Sequence, residues 1–286
     1  MFRAFILFLI LSLSAICLRA QGENANLKTA QDLRAEALKL YDSGEYEKAV
    51  ILLKEAIKLK PDYARAYNDI GENLACLQRD EEALVSFKRA VQIQPDLAEA
   101  HYNTGTLLYK LNRLNEAIDS FKTAIRFKRD YAWAYNNLGI TYYDLGKYAE
   151  AADALEQAVK FQMNRAETYC VLAIAYSQIG RHTDSISAFK KSISLKPDYA
   201  EAHNSMGVEY FNLRRYKEAE ESFRRAILIK SDLAVARYNM AIMHLRRSER
   251  NEALAQYGEI KKLDKELAGF LYKGIFGGYA LNVVNK

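Results

Sequence analysis

Half of the 286 residues are apolar, only three are proline, and 41 basic side chains face 36 acidic ones. A chain this apolar is not a disordered one, and so even a charge balance argues against nucleic acid as a partner, which calls for a concentrated basic stripe. Length alone would suggest two globular domains, but an unbroken internal repeat replaces that expectation with one elongated domain.

Residues 1–20 open with Arg3, run apolar from Ala4 to Cys17 and reach Ala20 before the polar stretch QGENANLKT. The pattern is expected to be a secretory signal peptide cleaved after Ala20. Its apolar run falls short of the roughly 20 residues that a transmembrane helix needs. Two other readings stay open: acylation of Cys17, as in a bacterial lipoprotein, although bulky Ile16 stands where a small residue belongs, and retention as an anchor. The chain is therefore expected to be exported, periplasmic or secreted, touching a membrane only through such an anchor. Loss of the leader removes Arg3 and Arg19 and lowers the basic excess from five to three. Cys76 and Cys170 remain, three repeats apart and thus on the order of 30 Å from one another on stacked helices, too far to pair.

A polar linker follows at 21–29, and Thr29, with Asp32 three residues on, is placed to cap the first helix. From Ala30 the chain repeats every 34 residues, with units opening at Ala30, Ala64, Ala98, Ala132, Ala166, Ala200 and Ala234 and a partial one at Ala268. Counted within each unit, a first helix is expected at positions 2–14 and a second at 17–31. Position 8 is Gly or Ala (Gly71, Gly139, Ala173) and position 20 is Ala or Ser (Ala83, Ala151, Ser185), which lets two helices cross closely. Large residues at position 24 (Leu53, Phe87, Phe121, Leu155, Phe189, Phe223, Tyr257) and at position 30 (Leu59, Ile93, Phe127, Phe161, Leu195, Ile229, Leu263) are expected to fill the core around that crossing. Pro61, Pro95 and Pro197 all fall at position 32, where a missing amide and a fixed φ end the second helix. The junctions with Arg129, Met163, Ser231 and Lys265 lack that stop and are expected to be less rigid. Acid near the start of the second helices and base near their end suit the helix dipole on a solvated outer face. Repeat 7, with Arg237, His244, Arg247 and Arg250, departs most and reads as a terminal unit. The apolar stretch 268–286 is expected to fold back on it as a capping helix and tail.

In the unit 132–165, Tyr135, Leu138, Gly139, Tyr142, Ala151, Leu155 and Ala158 hold positions 4, 7, 8, 11, 20, 24 and 27. With the 34-residue period and proline at position 32, this order resembles the tetratricopeptide repeat family over residues 30–267. The resemblance implies an all-α, right-handed superhelical solenoid of seven helix-turn-helix repeats plus a C-terminal capping helix. It also implies that the first helices line a concave groove holding an extended peptide or a partner helix.

Positions 2, 5, 6, 9, 12 and 13 of the first helix lie opposite its packing stripe and face that groove. Position 9 changes from Leu38, Glu72 and Thr106 to Ile140, Ile174, Val208 and Ile242, so its second half is apolar. Tyr109, Tyr143 and Phe211 add aromatic rings, as does Trp133, the only tryptophan. Asn103, Asn136, Asn137, Asn204 and Asn239 bring amides that can bond a peptide backbone whatever its side chains. Apolar anchors among neutral polar groups are what peptide recognition needs, and these twelve residues, counting Ile140, Ile174 and Val208, are the candidate peptide-binding groove.

Catalysis finds no footing. His182-Thr183-Asp184-Ser185 holds the residue types of a hydrolase triad, but consecutive residues on a helix start point apart, and each fits its repeat column. Gly139 to Gly146-Lys147 lacks the glycine spacing and preceding strand of a phosphate loop. His101 and His203 stand three repeats apart, too far to share a metal. The expectation is a non-enzymatic scaffold without metal or cofactor, gripping a protein or peptide partner in the groove of repeats 3 to 6. The alternative is a membrane-tethered assembly factor for an envelope complex.

Overall fold

The computed structural model describes residues 28–277 together with Leu281, Val283 and Val284. The expected signal peptide, Cys17 and residues 21–27 of the linker lie outside the described residues. The described residues form fifteen α-helices and no strand. They divide into two compact units between Leu111 and Asn112.

The first unit holds α1 (Ala30–Asp42), α2 (Tyr46–Leu59), α3 (Ala64–Cys76), α4 (Asp80–Ile93) and α5 (Ala98–Lys110). The second unit begins with α6 (Leu114–Phe127), α7 (Ala132–Asp144), α8 (Tyr148–Lys160), α9 (Ala166–Gln178) and α10 (His182–Leu195). It continues with α11 (Ala200–Asn212), α12 (Tyr216–Ile229), α13 (Ala234–Arg246), α14 (Arg250–Leu263) and α15 (Lys265–Gly277). Within each unit a first helix packs on its own second helix and on the next repeat, and the first helices of successive repeats touch one another. First helices occupy positions 1–13 and most second helices 17–30, one residue from the expected spans.

Local chemistry explains these limits. Thr29 and Asp32 form a capping box at α1, the hydroxyl accepting from the Asp32 N–H at 3.1 Å and the carboxylate accepting from the Thr29 N–H at 2.9 Å. Every first helix ends in the same turn. Position 15 takes a left-handed backbone in all seven repeats, at Gly44, Gln78, Asn112, Gly146, Gly180, Arg214 and Ser248. The N–H of position 16 then returns to the carbonyl of position 11, 2.8 Å at Glu45–Leu40 and 2.9 Å at Lys147–Tyr142, which satisfies a carbonyl the helix end leaves open. Four of these turns hold a non-glycine residue there, at a cost of about 1 kcal/mol each. Four second helices begin beside an arginine that pairs with the acid three residues on: Arg79–Glu82, Arg113–Glu116, Arg181–Asp184 and Arg215–Glu218. Exposed pairs of this kind orient the turn and add little stability.

The core follows the small columns more closely than the large ones. Position 20 is fully buried throughout, and position 24 is fully buried at Leu53, Phe121, Leu155, Phe189 and Phe223. A Cβ on Gly71 would stand 2.5 Å from the Phe87 ring, and one on Gly139 would stand 2.5 Å from Leu155; glycine gives the ring and the isobutyl group their room. The expectation for position 30 needs correction. Leu59, Phe127 and Leu263 are exposed, and the others are half-buried, because the last residue of the second helix overhangs the edge of the stack. Position 27 (Ala56, Ala90, Ala124, Ala158, Ser192, Ala226, Ile260) is the fully buried column instead.

Three of the four proline-free junctions take the same backbone as the proline ones. Lys128, Lys230 and Asp264 end their helices in the extended conformation of Lys60, Gln94 and Lys196, the residues that precede the prolines. Proline enforces this cap but is not required for it. The junction after α8 alone departs: Gln162 has φ 68°, and the N–H of Met163 returns to the Ala158 carbonyl at 2.9 Å. At the end of the chain α15 lies back on α13 and α14 through Ala268, Leu271 and Ile275, and leaves Phe270, Tyr272 and Phe276 exposed.

Candidate functional site

The face formed by the first helices has a floor of polar pairs. At three places position 5 of one repeat meets position 6 of the next through polar or charged side chains. In the first unit Arg34 pairs with Asp69 (Nε–Oδ2 2.5 Å), and Asn103 Nδ2 donates to Asn68 Oδ1 at 3.0 Å. Glu72 lies beside them and accepts from the amides of Asn68, at 3.1 Å, and Asn103. Burial, aided by the neighbouring Asp69 charge, holds the Glu72 carboxyl above the usual range. A cavity of about 230 Å³ opens here, lined by Tyr41, Glu72, Cys76, Asn103 and Lys110 among others. Burial also pushes the Tyr41 hydroxyl up to about 12.

The second unit has a pair of its own, Asn239 Nδ2 donating to Asn204 Oδ1 at 3.0 Å. Asn136 is tied internally: it accepts from Thr168 at 2.7 Å and donates to Asn137 Oδ1 at 3.1 Å. Around this floor the side chains are apolar. Ile140 and Ile174 are half-buried, Val208 and Ile242 fully so. Position-12 aromatics lean edge-on against the tyrosine that opens the second helix, Tyr143 on Tyr148 at 5.7 Å and Phe211 on Tyr216 at 5.8 Å. Trp133 is 45% exposed with the Arg165 guanidinium 5.4 Å from its ring centroid.

The twelve sequence-selected residues are therefore divided. Asn103 and Tyr109 belong to the first unit and the other ten to the second. Asn136, Asn204, Val208 and Asn239 are buried, and the three asparagines bond within the chain; Asn103, Tyr109, Trp133, Asn137, Ile140, Tyr143, Ile174 and Phe211 keep partial or full exposure. Asn239 meets a partner the sequence did not reveal. Its amide bonds both backbone groups of Val284, 45 residues away.

Of the residues weighed and set aside for catalysis, His182, Asp184, His101 and His203 have partners within the chain, whereas the buried Ser185 hydroxyl has none among the described residues. His182 meets the fully buried Glu209 at 2.9 Å, and Ser177 donates to the same carboxylate at 2.5 Å. Glu209 on α11 thus ties the end of α9 to the start of α10. Glu209 occupies position 10, where other repeats carry Leu107, Thr141 and Ala175; a lone carboxylate in that column was the available signal. His101 and His203 at position 4 each contact the carbonyl of the preceding position-32 proline, at 2.9 and 3.1 Å, and Arg237 makes the same contact to Ser231. Cys76 is exposed and Cys170 buried, and both are free thiols.

Family models described as TPR repeat match residues 37–75, 77–112 and 105–146, and others described as tetratricopeptide repeat match 132–162, 166–199 and 200–233. None of the curated proteins matches. Among solved structures, the chain is similar to the C-terminal part of a TPR repeat-containing protein from Cytophaga hutchinsonii, at 16% identity and a TM-score of 0.66 over 86% of this chain and 99% of that one. It is similar also to YrrB, described as a TPR protein with an unusual peptide-binding site, at 22% identity and a TM-score of 0.59 over 65% of this chain and 97% of that one. A MamA protein shares 27% identity and a TM-score of 0.55 over 59% of this chain and 92% of that one. These likenesses concern the fold.

Proposed function

Because the chain belongs to the tetratricopeptide repeat family, we propose that it is a non-enzymatic scaffold holding a segment of a partner protein against its first helices, in the cell envelope or the secreted space. The observation that carries this reading is the exposure of Trp133 beside the half-buried Ile140, Tyr143 and Ile174 on α7 and α9. A large ring left 45% exposed on a packed stack is the kind of anchor on which interface energy concentrates. The peptide-binding site named for YrrB lends support from a protein of similar fold.

The test is a crosslinking pull-down that compares the wild-type chain with Trp133→Ala/Asn137→Ala/Tyr143→Ala, with helical content checked by circular dichroism. Partners captured by the first and lost by the folded variant are expected; partners retained by both would move the function away from this face. Export is tested by the mass of the mature N-terminus, with Gln21 expected as the first residue. A diacylglyceryl group on Cys17 would make the protein a tethered assembly factor instead.

A further inference from the structure

Asn103 in the first unit and Asn239 in the second make the same bond, from Nδ2 to the Oδ1 of an asparagine 35 residues earlier, at 3.0 Å in both cases. A primary amide has two N–H groups, and position 9 of the preceding repeat decides where the other one goes. In the first unit that residue is Glu72, whose carboxylate accepts it. In the second it is Val208, which has no acceptor. Asn239 turns instead to a peptide backbone: Nδ2 donates to the Val284 carbonyl at 2.7 Å, and Oδ1 accepts from the Val284 N–H at 2.6 Å. This two-bond ring holds a peptide backbone without reading its side chains.

Apolar contacts supply the reading. Leu281, Val283 and Val284 join the cluster of Ile242, Leu271 and Ile275, and Val283 also packs on the cluster that contains Val208 and Met240. The cover is shallow, since all three side chains stay half-buried. Beneath it Asn204 is fully buried, and its Nδ2 has no partner among the described residues, an expensive omission for a ligand to correct.

The geometry points to the face between α11 and α13 as a docking site for a partner's apolar segment, with Leu281, Val283 and Val284 as the residents that such a partner displaces. The chemistry that fits is adjacent branched side chains on a backbone whose amide is free to donate. The inference rests on the first-helix face being a peptide site, and makes that site self-masked at its last two repeats.

A fluorescein-labelled peptide of residues 278–286 is titrated into the full chain and into the full chain carrying Val283→Asp/Val284→Asp, which expels the segment without shortening the protein. The wild type is expected to bind about tenfold or more weakly than the double variant, because a tethered segment competes at millimolar effective concentration. A peptide N-methylated at the Val284 amide, which cannot donate to Asn239, should lose about tenfold on the double variant. Circular dichroism checks the fold, and Leu281→Asp loosens the segment by a second route should the double variant misfold. Equal affinity of both chains, or of both peptides, overturns the proposal. So does a wild-type dimer that turns monomeric in the variant, since the segment would then serve a second copy of the chain. The pull-down above probes α7, so partner loss there with failure here overturns this inference alone.

Discussion

The two units are built on the same buried columns and each carries an asparagine pair in the same register, yet their first-helix faces differ in kind. In the first unit Arg34, Asp69 and Glu72 fill the floor with charge and satisfy the asparagine amides internally. In the second, Val208 and Ile242 stand at position 9, and the matching amide reaches a peptide backbone. The asparagine pair is thus common to both units, and a single neighbouring column decides whether its free N–H meets a side chain or a backbone carbonyl.

Four measurements break or sharpen this contrast. The largest effect should not distinguish the units at all: Phe87→Ala and Phe223→Ala each empty an equivalent buried site and should each cost about 3–5 kcal/mol, read by hydrogen exchange in the unit concerned. Markedly unequal losses would mean the cores differ too. Val208→Glu carries the first unit's acceptor into the second. It should capture the Asn239 amide, release Val284 and raise exchange at its N–H toward that of an open chain, at about 2 kcal/mol for burying a carboxyl. An unchanged Val284 amide would refute the role given to position 9.

A smaller effect concerns pH. The Glu72 pKa is raised, chiefly by burial and then by Asp69. Ionising it therefore subtracts stability, a penalty absent below the ordinary glutamate value and complete above the raised one. Glu72→Gln keeps an oxygen for Asn68 and Asn103 and should stabilise the first unit by on the order of 1 kcal/mol at pH 7, with the gain vanishing in acid. A gain independent of pH would assign the effect to packing. The smallest is Ser231→Pro, which places at a second-unit junction the proline that both first-unit junctions carry. Since Lys230 already has the required extended backbone, stability should rise by about 0.5 kcal/mol. A fall in melting temperature would show that the junctions differ despite their similar caps.

The helices, their turns and the small columns were legible because they repeat: seven copies of one spacing leave little room for another fold. Position 30 misled, since hydrophobicity alone does not say that the last residue of a helix overhangs its stack, as Leu59 does. At the junctions proline marks a backbone shape that Lys128 and Lys230 adopt without it, so the shape of the cap could not be read from proline alone. For the site, residue types were readable and their employment was not. Asn204 and Asn239 sit where groove amides belong, but only coordinates tell that one bonds the other and that Val284, 45 residues on, takes what is left. Glu209 and His182 were likewise readable only as separate oddities, being joined by a contact between neighbouring repeats.

Trp133 gives the molecule its own optical gauge. As the sole indole in the sequence, set at the surface of α7 under the Arg165 guanidinium, it reports on one spot only. Water contact keeps its emission long in wavelength, and a nearby cation shifts the level of the excited state. Anything that covers that spot changes both at once, so the colour of the protein's fluorescence records occupancy without any label.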